Sequence, residues 1–254
     1  NVLSVGSSSE FQVNNTGNIV KLNNVTTNFP AMQGAANTIL QNDGSGNLTW
    51  AGTSNDWSIT GNSGTNATIN FIGTTDNQPL VFKVNNLQSG FIDHIKLNSF
   101  LGYQAGSSNT IGEQNTAIGY NALQFNTTGF ENTANGSNAL QNNLNGGSNT
   151  AIGSNALQLN TSGFGNTSTG RSALRNNISG DFNTANGVSA LEKNTTGSNN
   201  TAIGTDALYW NATGYNNTAT GGEALSYNTS GIGNTANGYS ALLSNTQGFK
   251  NTAI

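Results

Sequence analysis

From Asn98 onward, apolar and polar positions fall into a strict period of 17 residues, marked by Asn-Thr pairs at Asn115-Thr116, Asn132-Thr133, Asn149-Thr150 and on to Asn251-Thr252. One unit, Asn115 to Glu131, reads NTAIGYNALQFNTTGFE. Its recurrent apolar residues are few and small: Ala at unit positions 3 and 8, Leu at position 9. Gly recurs at positions 5 and 15, and Asn at positions 1 and 12. A fixed period of this length marks a repeat architecture. Gly, Asn and Thr are poor helix formers, so a pair of short helices per unit fails. The pattern predicts an all-β fold, a parallel β-solenoid or β-roll with one coil per unit. Each coil would carry two short strands, NTAI and NALQF. Nine to ten coils about 4.8 Å apart would make an elongated stack roughly 45 Å long.

Stacking places like on like. Asn126, Asn160 and Asn194 would bond amide to amide from coil to coil. Leu123, Leu140 and Leu157, with the alanines, would line a thin core, and Thr116, Thr133 and Thr150 would begin a hydroxyl ladder. Position 4 varies: from Ile152 the order Ile, Thr, Asn repeats through Thr169, Asn186, Ile203, Thr220 and Asn237. The charges from Glu113 onward all fall at positions 6, 7, 10, 11, 16 and 17. Charged side chains are rarely buried unpaired, so these positions face outward or lie on a subunit contact. The aromatics cluster at the same positions. They read either as corner caps and an oligomer seam, or as a display for a ligand such as a glycan. Tyr120, Phe125, Tyr209, Trp210, Tyr215, Tyr227 and Tyr239 are the candidate display residues. The unit at 98–114 is worn, with Ser99 for Thr and Gly106 for Leu, as a capping repeat is.

The first hundred residues follow a different pattern. Residues 1–55 are short polar strands and turns, read as a β-hairpin shaft. FQVNNTGNIVKL (11–22) and ILQNDGSGNLTW (39–50) are hairpins, the second with 43–46 at its tip. Hairpins this short need partner chains. Residues 56–97 are more apolar and read as a small β knob or connector. Phe71-Ile72-Gly73 and Leu80 to Val84 would be strands, and Phe91, Ile92 and Ile95 would pack on them. Residues 98–254 are the solenoid. The first residue is not Met and the last lies four residues into a new unit, so the chain reads as a segment of a longer polypeptide.

Composition narrows the function classes. Apolar residues make up 33% and charged ones 7% of 254 residues, too little apolar surface for a compact globule; the period shows that stacking can replace that core. A net charge of -4 leaves no basic patch for nucleic acid. No stretch is long and apolar enough for a transmembrane helix. With no Cys there is no disulfide framework and no thiol chemistry. His94 is the only His, no acidic or His cluster has metal-ligand spacing, and the glycines form no phosphate loop. These observations predict no enzyme activity, no metal and no cofactor. A polysaccharide-degrading spike needs paired carboxylates, and along the chain the acids look scattered, with no shared pair of positions.

The NTAIG and NTATG coils of 98–254, each followed by a Gly corner, resemble the head repeats of trimeric autotransporter adhesins, where Asn-Ser-x-Ala-Ile-Gly motifs recur. Here the unit is longer and Thr stands for Ser. That resemblance implies a left-handed parallel β-roll, three chains side by side, on a bacterial surface. GAANTILQNDGSGNLTWAG (34–52) and NFIGTTDNQPLVFKVNN (70–86) resemble segments of long fibre proteins of bacteriophage tails and Bacteroidota-type bacteria. Many of these end in a self-cleaving chaperone domain, which these residues do not include. Together the readings predict an extracellular structural fibre segment of an adhesin or phage tail fibre. It would be a homotrimer, because a thin core is stabilised by burying a second face against further copies. Its outward side chains would attach to a cell-surface glycan or receptor. The alternatives are an ice-binding solenoid, from the Thr ladder, and the degrading spike.

Overall fold

The computed structural model describes residues 3–5, 11–13, 19–22, 25–26, 38–42, 47–52, 61, 63–66, 68 and 70–254. The chain divides into two units, Asn1–Ile72 and Gly73–Ile254. None of the described residues is helical.

In the first unit, β1 (Leu3–Val5), β2 (Phe11–Val13), β3 (Ile19–Leu22) and β4 (Val25–Thr26) form an antiparallel sheet in chain order. A second hairpin pairs β5 (Thr38–Asn42) with β6 (Leu48–Gly52), Asn42 opposite Leu48. Both predicted hairpins are therefore present as strand pairs. The turn at 14–18 and the tip at 43–46 lie outside the described residues. Phe71-Ile72-Gly73 is not a strand: Ile72 and Gly73 form a bend, and Phe71 and Ile72 are exposed.

The second unit is a parallel β-solenoid built on one 12-stranded sheet. It opens with an antiparallel hairpin, β7 (Leu80–Val84) and β8 (Leu87–Asp93), which continues antiparallel onto β9 (Asn98–Leu101). Thereafter every coil adds one parallel strand: β10 (Thr116–Ile118), β11 (Thr133–Asn135), β12 (Thr150–Ile152), β13 (Thr167–Thr169), β14 (Thr184–Asn186), β15 (Thr201–Ile203), β16 (Thr218–Thr220), β17 (Thr235–Asn237) and β18 (Thr252–Ala253). The register never slips: Thr116 pairs with Thr133, Thr133 with Thr150, and so to Thr235 with Thr252.

Each coil has one strand, where the sequence predicts two. The NALQF run forms turns instead, because two of its residues adopt the left-handed backbone region. Position 7 does so (Asn121, φ 56°), and so does the buried leucine at position 9 (Leu123, φ 51°), in coil after coil. A non-glycine residue there costs about 1–2 kcal/mol. Burial of the leucine and a bond to the next coil offset this: Leu123 N–H donates to the Ala139 carbonyl at 3.0 Å. The turns therefore stack through inter-coil bonds although they are not strands. Phe125 N–H donates to Gln141 O and Thr127 N–H to Leu144 O.

The interior is half apolar and half amide. Ala117, Ala122, Leu123 and their equivalents are fully buried as far as Ala236, and Ala241 and Leu242 of the last full coil partly so. The asparagines at position 1 from Asn98 to Asn234 and at position 12 from Asn126 to Asn228 are buried too, and their amides run in two ladders. In one, Asn149 Nδ2 donates to Asn132 Oδ1 (3.2 Å) and to Gly163 O of its own coil (2.8 Å), while its backbone N–H donates to the same Asn132 Oδ1 (3.1 Å). In the other, Asn160 Nδ2 donates to Asn143 Oδ1 (2.8 Å) and Gly163 O (3.2 Å). The position-15 carbonyl thus accepts from both ladders. A Cβ on Gly163 would lie 2.4 Å from Asn160 Oδ1 and 2.5 Å from Gly180 O, so only glycine fits. Gly153 at position 5 is required for another reason: its φ of +130° is a region that L side chains rarely adopt. Buried polar groups must be bonded. Among the described residues, the one buried side-chain atom without a partner is Asn121 Oδ1.

The hairpin β7–β8 closes one end of this stack. Phe91 stacks on Phe100, with centroids 6.0 Å apart, whereas Ile92 and Ile95 are exposed rather than packed. In the first coil Phe100 takes the place of the core alanine, and Gly106 that of the leucine. A Cβ on Gly106 would lie 2.4 Å from the Phe100 ring. The worn coil is thus a compensated exchange, one large side chain moved across the core.

Candidate functional site

The coil geometry decides which side chains reach the surface. On the strand, position 3 points in and positions 2 and 4 point out. Thr116, Thr133 and Thr150 therefore stand on the outer sheet face, while Asn126, Asn160, Asn194, Leu123, Leu140 and Leu157 are buried. The variable positions that carry charges and aromatics lie at the corners.

One outer wall of the turn is built from positions 7 and 10. In the early coils long amides fill it. Asn138 Nδ2 donates to Asn155 Oδ1 at 3.1 Å, Gln141 Nε2 to Gln124 Oε1 at 2.9 Å, and Gln158 Nε2 to Gln141 Oε1 at 3.0 Å. Arg175 Nε, donating to Gln158 Oε1 at 3.1 Å, ends the row. Beyond it the residue types change. Position 7 becomes Ser189, Asp206 and Glu223, and position 10 becomes Glu192, Tyr209 and Ser226. Where small hydroxyls replace long amides the wall recedes. A cleft of about 420 Å³ opens, lined by Ser189, Asp206, Tyr209, Trp210, Glu223, Ser226, Tyr227 and Leu243.

Tyr209 and Trp210 meet edge to face, with centroids 5.1 Å apart. Lys193 Nζ stands 5.7 Å from the Tyr209 ring centre and 5.9 Å from that of Trp210, and pairs with Glu192 Oε1 at 3.2 Å. Ser240 Oγ donates to Glu223 Oε2 at 3.2 Å. Burial, then the neighbouring Glu223 and Glu192 carboxylates, push the Asp206 carboxyl above the usual carboxylate range. The sequence reading of scattered acids fails here. Asp206 and Glu223 occupy the same unit position in consecutive coils, and writing the chain in rows of 17 would have aligned them.

The cleft gathers three of the predicted display residues, Tyr209, Trp210 and Tyr227. The other four lie elsewhere. Tyr120 is exposed and stacks on Tyr103 of the preceding coil, centroids 5.9 Å apart. Phe125 is exposed in the same column as Trp210 and Tyr227 but five coils before Trp210, Tyr215 is exposed at another corner, and Tyr239 lies over Gly222 with 77% of its surface free. Some corner aromatics pair across coils: Phe130 and Phe164 meet at 5.8 Å over Gly147 of the coil between them. Among the described residues no group of His, Cys, Asp or Glu is arranged to hold a metal ion, and no helix is long and apolar enough to cross a membrane.

No protein-family model, curated protein or solved structure matches this chain at a significant level.

Proposed function

We propose that this chain is a structural segment of an extracellular surface fibre, of a bacterial adhesin or a phage tail, that holds variable side chains outward for attachment. One observation carries the reading. The recurrent Asn, Ala and Leu residues are buried and bonded within the stack, whereas the charged and aromatic residues that change from coil to coil, Glu192 excepted, stand on its surface. A stack that satisfies its own interior leaves its exterior free to vary without loss of fold. The resemblance to adhesin head repeats favours the same reading. Self-association into a homotrimer is supported by the outer face of the first strands, where Phe82, Ile92, Leu101 and Ile118 remain exposed around an apolar cleft of about 230 Å³. Apolar surface left open in this way favours association.

Sedimentation equilibrium tests the assembly: a mass three times that of the chain is expected, and a monomer removes the trimer. Beads coated with the chain test attachment. They should adhere to glycan-coated or cell-coated surfaces and lose adhesion when Tyr120, Trp210 and Tyr227 are changed together to Ser. Adhesion no better than that of bare beads overturns the reading.

A second reading has its own observation. The threonines at position 2 form one outward column in unbroken register. A regular hydroxyl array of this kind could order water as ice does. Against it, the adjacent position-4 column mixes Ile, Thr and Asn. Thermal hysteresis at high protein concentration decides; its absence removes the ice-binding reading.

A further inference from the structure

We infer that the cleft around Trp210 binds a sugar ring that bears no anionic group, either a neutral hexose unit or an amino sugar. The inference rests on the display reading and names the ligand class for one of its surfaces.

Four features carry it. First, the cleft has both halves of a sugar site. A pyranose ring has an apolar C–H face and a rim of hydroxyl donors. Trp210 and Tyr227 come from the same unit position of adjacent coils and offer aromatic surface to such a face; Trp210 is 45% and Tyr227 51% exposed. Second, Asp206 and Glu223 offer acceptors one coil apart, and a carboxylate can accept from two neighbouring hydroxyls or from an ammonium group. Ser189 and Ser226 add hydroxyls that donate or accept. Third, the local charge selects. Asp206 lies in the field of the Glu223 and Glu192 carboxylates, and the ammonium of Lys193 is already paired with Glu192. A uronic or sialic acid would be repelled. Fourth, the acids are not gathered as metal ligands are: among the described residues no group of three or more His, Cys, Asp or Glu is arranged to hold a metal ion. The volume of about 420 Å³ suits one or two sugar rings rather than a folded partner. In the earlier coils the same positions are occupied by amides bonded from coil to coil, a row that ends at Arg175, before the cleft begins.

The test is a glycan array carrying neutral hexose and N-acetylhexosamine oligomers, glucosamine oligomers, and oligogalacturonate and polysialic acid as anionic members, probed with the labelled chain. Hits are followed by titration against tryptophan fluorescence. Binding to neutral or amino oligomers is expected, with a dissociation constant of about 1 mM or below. Trp210→Ala should weaken it by about tenfold or more, as loss of a central aromatic contact does. Asp206→Asn combined with Glu223→Gln should weaken amino oligomers more than neutral ones. Trp210 is half exposed, so its variant should keep the wild-type circular dichroism; if it does not, Trp210→Phe and the carboxylate pair carry the test. The inference is overturned by an array without neutral or amino hits, by binding that no variant weakens, or by anionic members binding as well as the rest. An empty array beside adhering beads removes this site alone. Beads that fail to adhere remove the display reading itself.

Discussion

At the scale of the residue, the fold turns on a property of the Asn side chain: two N–H donors and a carbonyl acceptor on one short, planar, uncharged group. Asn160 gives its two protons to Asn143 Oδ1 and Gly163 O, and its oxygen accepts from Asn177 Nδ2 at 2.8 Å. Leucine at that position would keep the volume and remove all three bonds. Asn160→Leu should therefore cost about 3 kcal/mol or more, because it leaves several buried groups short of a partner. Asn160→Asp is the sharper test. Its buried carboxylate would face two oxygens, which pushes its pKa up. A pKa raised on folding gives stability that is present at low pH and lost as pH rises through the raised value. The gap in melting temperature between wild type and Asn160→Asp should thus be wide at pH 7 and narrow at pH 4. For Asn160→Leu it should not change with pH. The same sign applies at the surface. The raised pKa of Asp206 means that its ionisation opposes folding. Asp206→Asn should melt higher than wild type at pH 7, and the two should converge below the usual carboxylate range; an unchanged difference across pH would refute the coupling to Glu223 and Glu192.

At the scale of the coil, the period made register, interior and exterior legible before any coordinates. The recurrent Asn, Ala and Leu positions face in, while the equally constant Thr of position 2 and the positions that accept both Lys and Trp face out. The backbone of the turns was not legible. Left-handed residues announce themselves when they are Gly or Asn, but here Leu123, Leu140 and Leu157 adopt φ near 50°, and leucine carries no such signal. That is why NALQF passes for a strand. The cleft was half legible: its aromatics stood out as bulky, while its acids were missed because their partnership lies across coils. The worn first coil was legible as different but not as compensated. That compensation makes a prediction. Gly106 has φ of 59°, close to the leucines of later coils, so its backbone can accept leucine once Phe100 is gone. Phe100→Ala alone should cost about 3–5 kcal/mol. Gly106→Leu alone should also destabilise, since its Cβ meets the ring. The double variant restores the standard coil and should recover most of the loss, a coupling of about 2 kcal/mol or more in a double-mutant cycle of urea unfolding. Additive effects would show that the two sites do not share one space.

At the scale of the molecule, the solenoid of the second unit is a one-dimensional object. Each coil bonds to the coil before and the coil after, and the described ladders run between neighbours. Stability in such a stack is close to a sum of coil terms and nearest-neighbour terms. This inverts the usual expectation that a larger deletion does more harm. Removing residues 166–182 takes out one full period and joins 165 to 183, so Asn149 and Asn183 become neighbours in the same ladder and Leu157 lies beneath Leu191. The remaining coils meet surfaces equivalent to those they lost. Removing Ala156 alone leaves a coil one residue short. Leu157 then cannot keep both its left-handed corner and its place in the leucine column, and two core contacts are opened. The single deletion should lower the unfolding free energy by about 3 kcal/mol or more, the scale of a lost buried leucine. The deletion of a whole coil should cost less than that and leave one cooperative urea transition with a slightly smaller m-value. If instead the 17-residue deletion unfolds the chain while the single deletion is tolerated, the coils are not interchangeable units, and the division between a repeating interior and a variable exterior, on which display depends, is lost.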